Sequence, residues 1–228
     1  MSDNQLIKYG TLIPTFVINI VSIYLTFLYA PPEATLGDAY RVFYFHVPSA
    51  WVSYLAFGIT LLGSIMFLVR KSYKWDMVAE ASAKLGITFC AVALLSGSIW
   101  ANLTWGSYWN WDPRETTTLI LLLTYIAYLS FRMAIDDREK KARLSSVLGV
   151  LGFISVPLSY VSVQLMTLHP GGGAPLSKLN LTSPMMMTLM VALLGITLIY
   201  LTLLKRTYDV MKIEDRLSEI RYQGGDFR

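Results

Sequence analysis

Apolar residues in this chain come in long runs, broken by short polar stretches. The runs cover roughly 9–30, 47–69, 79–100, 115–135, 144–168 and 184–204. Each approaches the ~20 residues that an α-helix needs to cross the hydrocarbon core of a bilayer. Backbone polar groups in lipid must be satisfied within their own segment. The pattern therefore predicts an all-α polytopic membrane protein, one bundle of six transmembrane helices over 1–204.

Helix ends are marked by their own chemistry. Asp112-Pro113-Arg114-Glu115 reads as an N-cap, a proline at the first helical position and a glutamate at the third. Ser183-Pro184 repeats the signal for the sixth span, and Pro48 marks the start of the second. Pro170 and the glycines from Gly171 to Gly173 end the fifth. After Leu204 the chain turns charged. There Val210, Ile213, Leu217 and Ile220 recur at spacings of three and four, which predicts a short amphipathic helix in a tail over 205–228. Such a helix lies on the inner membrane face or docks a partner, the first being the simpler reading.

Lysine and arginine in the short loops orient the bundle. One side collects Lys8, Arg70, Lys71, Lys74, Arg132, Arg138, Lys140, Lys141 and Arg143, then Lys205, Arg206, Lys212, Arg216, Arg221 and Arg228. The other holds Arg41, Arg114 and Lys178. Both termini are then cytoplasmic. The first span has a weak basic flank and no clean small-x-small site, so it reads as a retained helix and not a cleaved leader.

Composition agrees. Of 228 residues 54% are hydrophobic and 15% charged, against about 25% charged in soluble domains. The net charge of +4 is spread over loops and tail, which speaks for topology and against nucleic-acid binding. The single cysteine, Cys90, lies inside the third span and reads as a small buried apolar residue. Glu80 and Lys84 read as a local i,i+4 ion pair. No phosphate-binding Gly-rich motif is present, so the chain has no ATP hydrolysis of its own, and no nucleophile–base pair suggests an enzyme.

Candidate chemistry gathers on the outer side, at 100–115. Trp100, Trp105, Trp109 and Trp111, four of six tryptophans, fall in this segment. An interfacial belt accounts for Trp100. Trp105, Trp109 and Trp111 sit together in a short loop and suit an aromatic platform for a flat apolar ligand. The two histidines, His46 and His169, are expected at similar depth on the same face. Two neutral imidazoles can bind one metal from opposite sides, and imidazole suits iron, copper and zinc alike. A structural zinc site needs about four ligands; Asp112 could be a third, and a fourth is not evident. Asp112 and Glu115 also serve as helix caps. Arg41 and Arg114 match a carboxylate such as a propionate, or lipid headgroups.

Trp105-Gly-x-x-Trp109-x-Trp111-Asp112 resembles the tryptophan-rich WWD signature of the haem-handling proteins of cytochrome c biogenesis. Tyr44-Phe45-His46-Val47-Pro48-Ser49-Ala50-Trp51 is similar to the stretch carrying the first external histidine of the CcmC family. Length, span number and the order histidine, WWD, histidine select CcmC within the superfamily. Before the second histidine the family shows paired tryptophans. Here the stretch reads Val163-Gln164-Leu165-Met166-Thr167-Leu168-His169, so that side of the pocket is remodelled.

The resemblance implies a delivery protein in the bacterial, archaeal or mitochondrial inner membrane. It would hold haem b at the outer face and pass it to the chaperone CcmE, with the ABC components CcmA and CcmB and the small protein CcmD as partners. The implied iron ligands are His46 and His169. Trp105, Trp109, Trp111 and Asp112 form the implied platform. Two rival readings stay open: a haem exporter or permease subunit, and a bis-histidine redox cytochrome.

Overall fold

The computed structural model describes residues 10–162 and 181–225. Helix α1, Leu12–Tyr24, runs into one π-helical turn, Leu25–Tyr29. A tight 3-10 turn, Asp38–Val42, leads into α2, Phe43–Arg70. Then follow α3, Tyr73–Trp105; α4, Pro113–Met133; α5, Arg138–Gly152; the short α6, Ser155–Val161; and α7, Ser183–Gly225. Six segments are long and apolar enough to cross a membrane: Leu12–Tyr29, Asp38–Arg70, Tyr73–Trp105, Pro113–Met133, Arg138–Val161 and Ser183–Ile220. They correspond one to one with the six apolar runs, and no strand is present among the described residues.

The differences lie at the ends. Helix α2 begins at Phe43, which puts Pro48 inside the helix instead of at its start. Helices α3 and α5 begin six residues before their apolar runs, at Tyr73 and Arg138. Asp137 caps α5 by accepting the Lys140 backbone N–H at 2.7 Å. The fifth span is broken between α5 and α6, where Ser155 Oγ donates to the Gly152 carbonyl at 2.6 Å. The tail is not a separate helix. Helix α7 continues unbroken for 43 residues, so its tail projects along the axis of the sixth span and cannot lie in the membrane plane.

Inside lipid, burial of apolar surface gives helices little reason to associate, so small residues and hydrogen bonds between helices take over. A Cβ on Gly63 of α2 would lie 2.9 Å from the Trp75 carbonyl and 3.0 Å from Ala79 of α3. A Cβ on Gly86 of α3 would lie 2.6 Å from the Phe57 ring of α2. The main core joins Phe57, Ala83, Cys90, Leu121, Tyr125, Tyr128 and Val156, with Phe57 and Tyr125 stacked at 3.7 Å. Helix α7 is tied in by Ser82–Tyr200 at 2.8 Å, Thr15–Thr202 at 3.0 Å and Asn19 to the Gly195 carbonyl at 3.1 Å.

Arg132 corrects the sequence reading most directly. It is not a loop charge but is 5% exposed, at the C-terminal end of α4. Its guanidinium grips Asp76 with two bonds, 2.7 and 2.5 Å, and Glu80 with a third, 2.6 Å. Glu80 also takes Lys84 at 2.8 Å, the expected pair, now part of a larger cluster. These bonds explain why the polar start of α3 is helical and packed. The planar fork suits two carboxylates at once.

Breaking one side of a buried pair leaves an uncompensated charge, a loss of about 3–5 kcal/mol. Arg132→Met is therefore expected to lower the thermal unfolding midpoint of the purified protein sharply. Adding Asp76→Asn and Glu80→Gln to that variant should recover most of the loss. In the same assay Gly63→Ala should destabilise. Gly58→Ala, whose Cβ would meet only the Phe153 ring at 4.0 Å, should stabilise by up to about 1 kcal/mol through helix propensity.

Candidate functional site

His46 stands one turn into α2 and points at α3. Its Nδ1 lies 2.9 Å from the Ala93 carbonyl and 3.2 Å from Ser96 Oγ. A carbonyl oxygen only accepts, so the neutral ring carries its proton on Nδ1 and its lone pair on Nε2. Ser96 donates its own proton to the Val92 carbonyl at 2.7 Å, which leaves its oxygen as an acceptor toward the ring. Histidines that ligate a metal commonly hold their other ring N–H on a carbonyl in this way.

The ring fits because residue 97 has no side chain. A Cβ on Gly97 would lie 2.9 Å from His46 Cε1. One turn further along α3, Trp100 meets the imidazole edge-on, with ring centres 5.7 Å apart. Trp100 is in turn boxed by Tyr40 at 5.7 Å and Phe43 at 5.3 Å. So Trp100 is a wall of the histidine pocket and not a belt residue facing lipid. Its indole Nε1 and the Tyr44 hydroxyl are buried and find no hydrogen-bond partner among the described residues.

The tryptophan loop is built from short polar bonds. Gly106, at φ +74°, ends α3 with its N–H on the Asn102 carbonyl at 2.9 Å. Ser98 Oγ donates to the Tyr108 carbonyl at 2.7 Å and folds the loop back onto α3. Asp112 caps α4 by accepting the Arg114 backbone N–H at 2.7 Å. Glu115 reaches back to the Asn110 N–H at 3.2 Å. Both carboxylates therefore act as caps, with Glu115 serving the Asn110 N–H as well as that of Asp112 in the expected box.

Trp111 sits between these caps at φ +60°, in the left-handed region that a bulky side chain rarely adopts. It is 72% exposed. Its ring meets Trp109 at 5.7 Å and 89°. The two indoles do not form the single flat platform expected from the sequence. A flat ligand lying on one face would meet the edge of the other. Trp105 closes α3, one residue before Gly106.

The two arginines differ. Arg41 bonds Asp38 through Nε at 3.0 Å and through a terminal nitrogen at 2.7 Å. It also donates to the Thr26 and Ala30 carbonyls at the end of α1, where the π turn leaves acceptors exposed. Arg41 is thus a clasp within the fold. Among the described residues the Arg114 guanidinium makes one long bond, 3.4 Å to the Tyr160 carbonyl, and lies 6.0 Å over the Tyr54 ring. His169 lies outside the described residues. Among those described, no group of three or more His, Cys, Asp or Glu side chains is placed to hold a metal ion.

Sequence reasoning missed the surroundings of His46. Ala93, Ser96, Gly97 and Trp100 follow the i, i+3, i+4, i+7 spacing of one helix face. Small residues followed by an indole on one face signal that something is seated there. What is seated can be read only from the way α2 packs on α3.

Comparison with known proteins bears on this site. The chain is 34% identical over 191 residues to a protein named heme exporter protein C from Bradyrhizobium diazoefficiens, covering 83% of this chain and 72% of that one. It is 33% identical over 146 residues to the protein of that name from Escherichia coli K12, covering 64% of this chain and 60% of that one. Against the Rhodobacter capsulatus protein the identity is 32% over 154 residues, 67% of this chain and 64% of that one. In the last two the match spans less than two thirds of the relative's length. The profile of one family, described as heme exporter protein C, matches residues 4–221. With that match over nearly its whole length, the chain belongs to the CcmC family.

Proposed function

We propose that this protein holds haem at the outer face of the membrane and delivers it to the periplasmic chaperone CcmE during c-type cytochrome biogenesis. The observation that carries the reading is His46. Its Nδ1–H is committed to the Ala93 carbonyl at 2.9 Å, so the neutral ring presents Nε2 as its basic atom. Haem iron takes such an imidazole as an axial ligand. His169 is the proposed second ligand. Both termini are then cytoplasmic, and the basic ends of the helices face the cytoplasm.

The remaining residues take distinct roles. Trp111 offers an exposed indole face, and Trp109 an edge at right angles to it. Trp105 completes the aromatic margin. Asp112 holds the loop in place through its cap. Arg114, with one long protein bond, is assigned to a propionate ahead of Arg41, whose donors already serve Asp38 and two carbonyls. CcmA, CcmB and CcmD remain the proposed partners, the first two supplying ATP-driven steps that this chain lacks.

The relatives carry the word exporter in their names. A route through this bundle would need polar, substrate-sized positions near its midplane. Helices α2 and α4 instead meet there through Phe57, Leu121 and Tyr125, all fully buried. That packing favours capture and handover at one face over passage through the chain.

The test is the Soret band of the detergent-purified protein. His46→Gly and His169→Gly should each lose most of the bound haem or change its ligation spectrum. An unchanged band in both would overturn the reading. Gly97→Ala should reproduce the His46 defect in weaker form, since the added methyl pushes the ring off its carbonyl. Trp111→Gly separates ligand binding from folding. Relief of a backbone strain of about 1–2 kcal/mol offsets the little packing that this exposed indole provides. The unfolding midpoint should then stay nearly constant, while haem per protein falls several-fold.

A further inference from the structure

Three arginines of this chain pair their charge with carboxylates: Arg41 with Asp38, Arg132 with Asp76 and Glu80, and Arg138 with Asp215. Arg114 is held differently. Among the described residues its guanidinium meets the Tyr160 carbonyl at 3.4 Å and the face of the Tyr54 ring at 6.0 Å. Asp112 takes the Arg114 backbone N–H and leaves the side chain alone. Both contacts of the guanidinium are neutral. They orient its planar fork without answering its charge.

The two contacts are tied together. Tyr54 lies on α2, eight residues past His46. Its hydroxyl is 3.1 Å from Ser159 Oγ on α6, and the Tyr160 carbonyl belongs to the next residue. Ser159 is 0% exposed. Its Oγ also lies 3.0 Å from Thr118 Oγ1 on α4. Thr118, one turn after Arg114, donates to the Arg114 carbonyl at 2.7 Å.

Each hydroxyl has one proton, and a carbonyl only accepts. The direction of the row is thereby fixed. Thr118 gives its proton to the Arg114 carbonyl, so Ser159 donates to Thr118 and Tyr54 donates to Ser159. Ser159 alone in this row touches both α2 and α4. The break between α5 and α6 gives the row its importance. A continuous helix would carry α6 into place, whereas here the row seats it against α2 and α4.

We propose that Ser159 and Tyr54 are positioning residues for the Arg114 guanidinium, and that through it they select a porphyrin with free carboxylate side chains. The proposal rests on haem capture as read above. The Tyr54 ring and the Tyr160 carbonyl hold the fork in one orientation. A carboxylate accepts from that fork through both oxygens and replaces the long carbonyl bond with short ionic ones. An esterified side chain carries no charge and offers a weaker, neutral acceptor. Preference for acid over ester therefore reads the placement of Arg114, while general packing at the site acts on both porphyrins alike.

The experiment titrates the full chain, purified in detergent, with haem and with haem dimethyl ester, following the Soret band. The wild-type protein should bind haem at least about tenfold more tightly than the ester. Tyr54→Phe keeps the ring and loses its anchor; Ser159→Ala removes the node. Each should weaken haem binding on the order of fivefold and leave ester binding unchanged, which also reports that the variant is folded. Arg114→Gln should abolish the preference. Adding Ser159→Ala to it should change the ratio no further, because both act through one group. Equal weakening for the two porphyrins in Tyr54→Phe and Ser159→Ala, or no weakening for haem, would overturn the proposal. A wild type without preference would overturn it while leaving haem capture standing. A wild type that binds neither porphyrin would overturn haem capture and the proposal with it.

Discussion

The close approach of α2 and α3 is the constraint on which the structure rests. Three glycines hold it, each at a different depth. Gly63 lets the α3 backbone come within touching distance near the basic end, and Gly86 admits Phe57 in the middle. Gly97 admits the ring of His46 at the tryptophan end. In the first two places the missing side chain serves packing of helix on helix, the force that membrane bundles depend on. At the third the same device seats an imidazole against a backbone carbonyl. The pocket is therefore an extension of the packing seam and needs no separate architecture.

Two polar devices fix what the seam alone leaves loose. Arg132 binds the polar start of α3 to the end of α4 and sets the depth of one against the other. At the opposite end, Asp112, Glu115 and Asn110 fold the tryptophan loop onto the start of α4. Helix α4 thus has its depth fixed at both ends, one by buried ions and one by caps. The strain at Trp111 is held by these caps.

The six spans were legible in the sequence because lipid imposes length and apolarity on every one of them. The cap at Asp112 was legible because its chemistry is local. What failed to show was anything resting on a partner far along the chain. Asp76 looks like a loop residue until Arg132, on another helix, turns inward to meet it. Trp100 looks like a membrane belt until Tyr40, Phe43 and His46 surround it. The tryptophan loop stood out in the sequence by composition. The mutual angle of Trp109 and Trp111 was not legible, because it depends on torsions such as the positive φ at Trp111 that residue type does not announce.

The length of α7 has a mechanical meaning. Residues past Leu204 extend the sixth span by about 30 Å as one rigid rod, while the intramembrane part is joined to α1 and α3 through Thr15, Asn19 and Ser82. A rod of this kind is a lever. Tilting it by about 10° inside the bilayer sweeps its far end through about 5 Å, the rise of one helical turn. Small readjustments between α7 and its neighbours are thereby amplified into displacements large enough for another protein to sense.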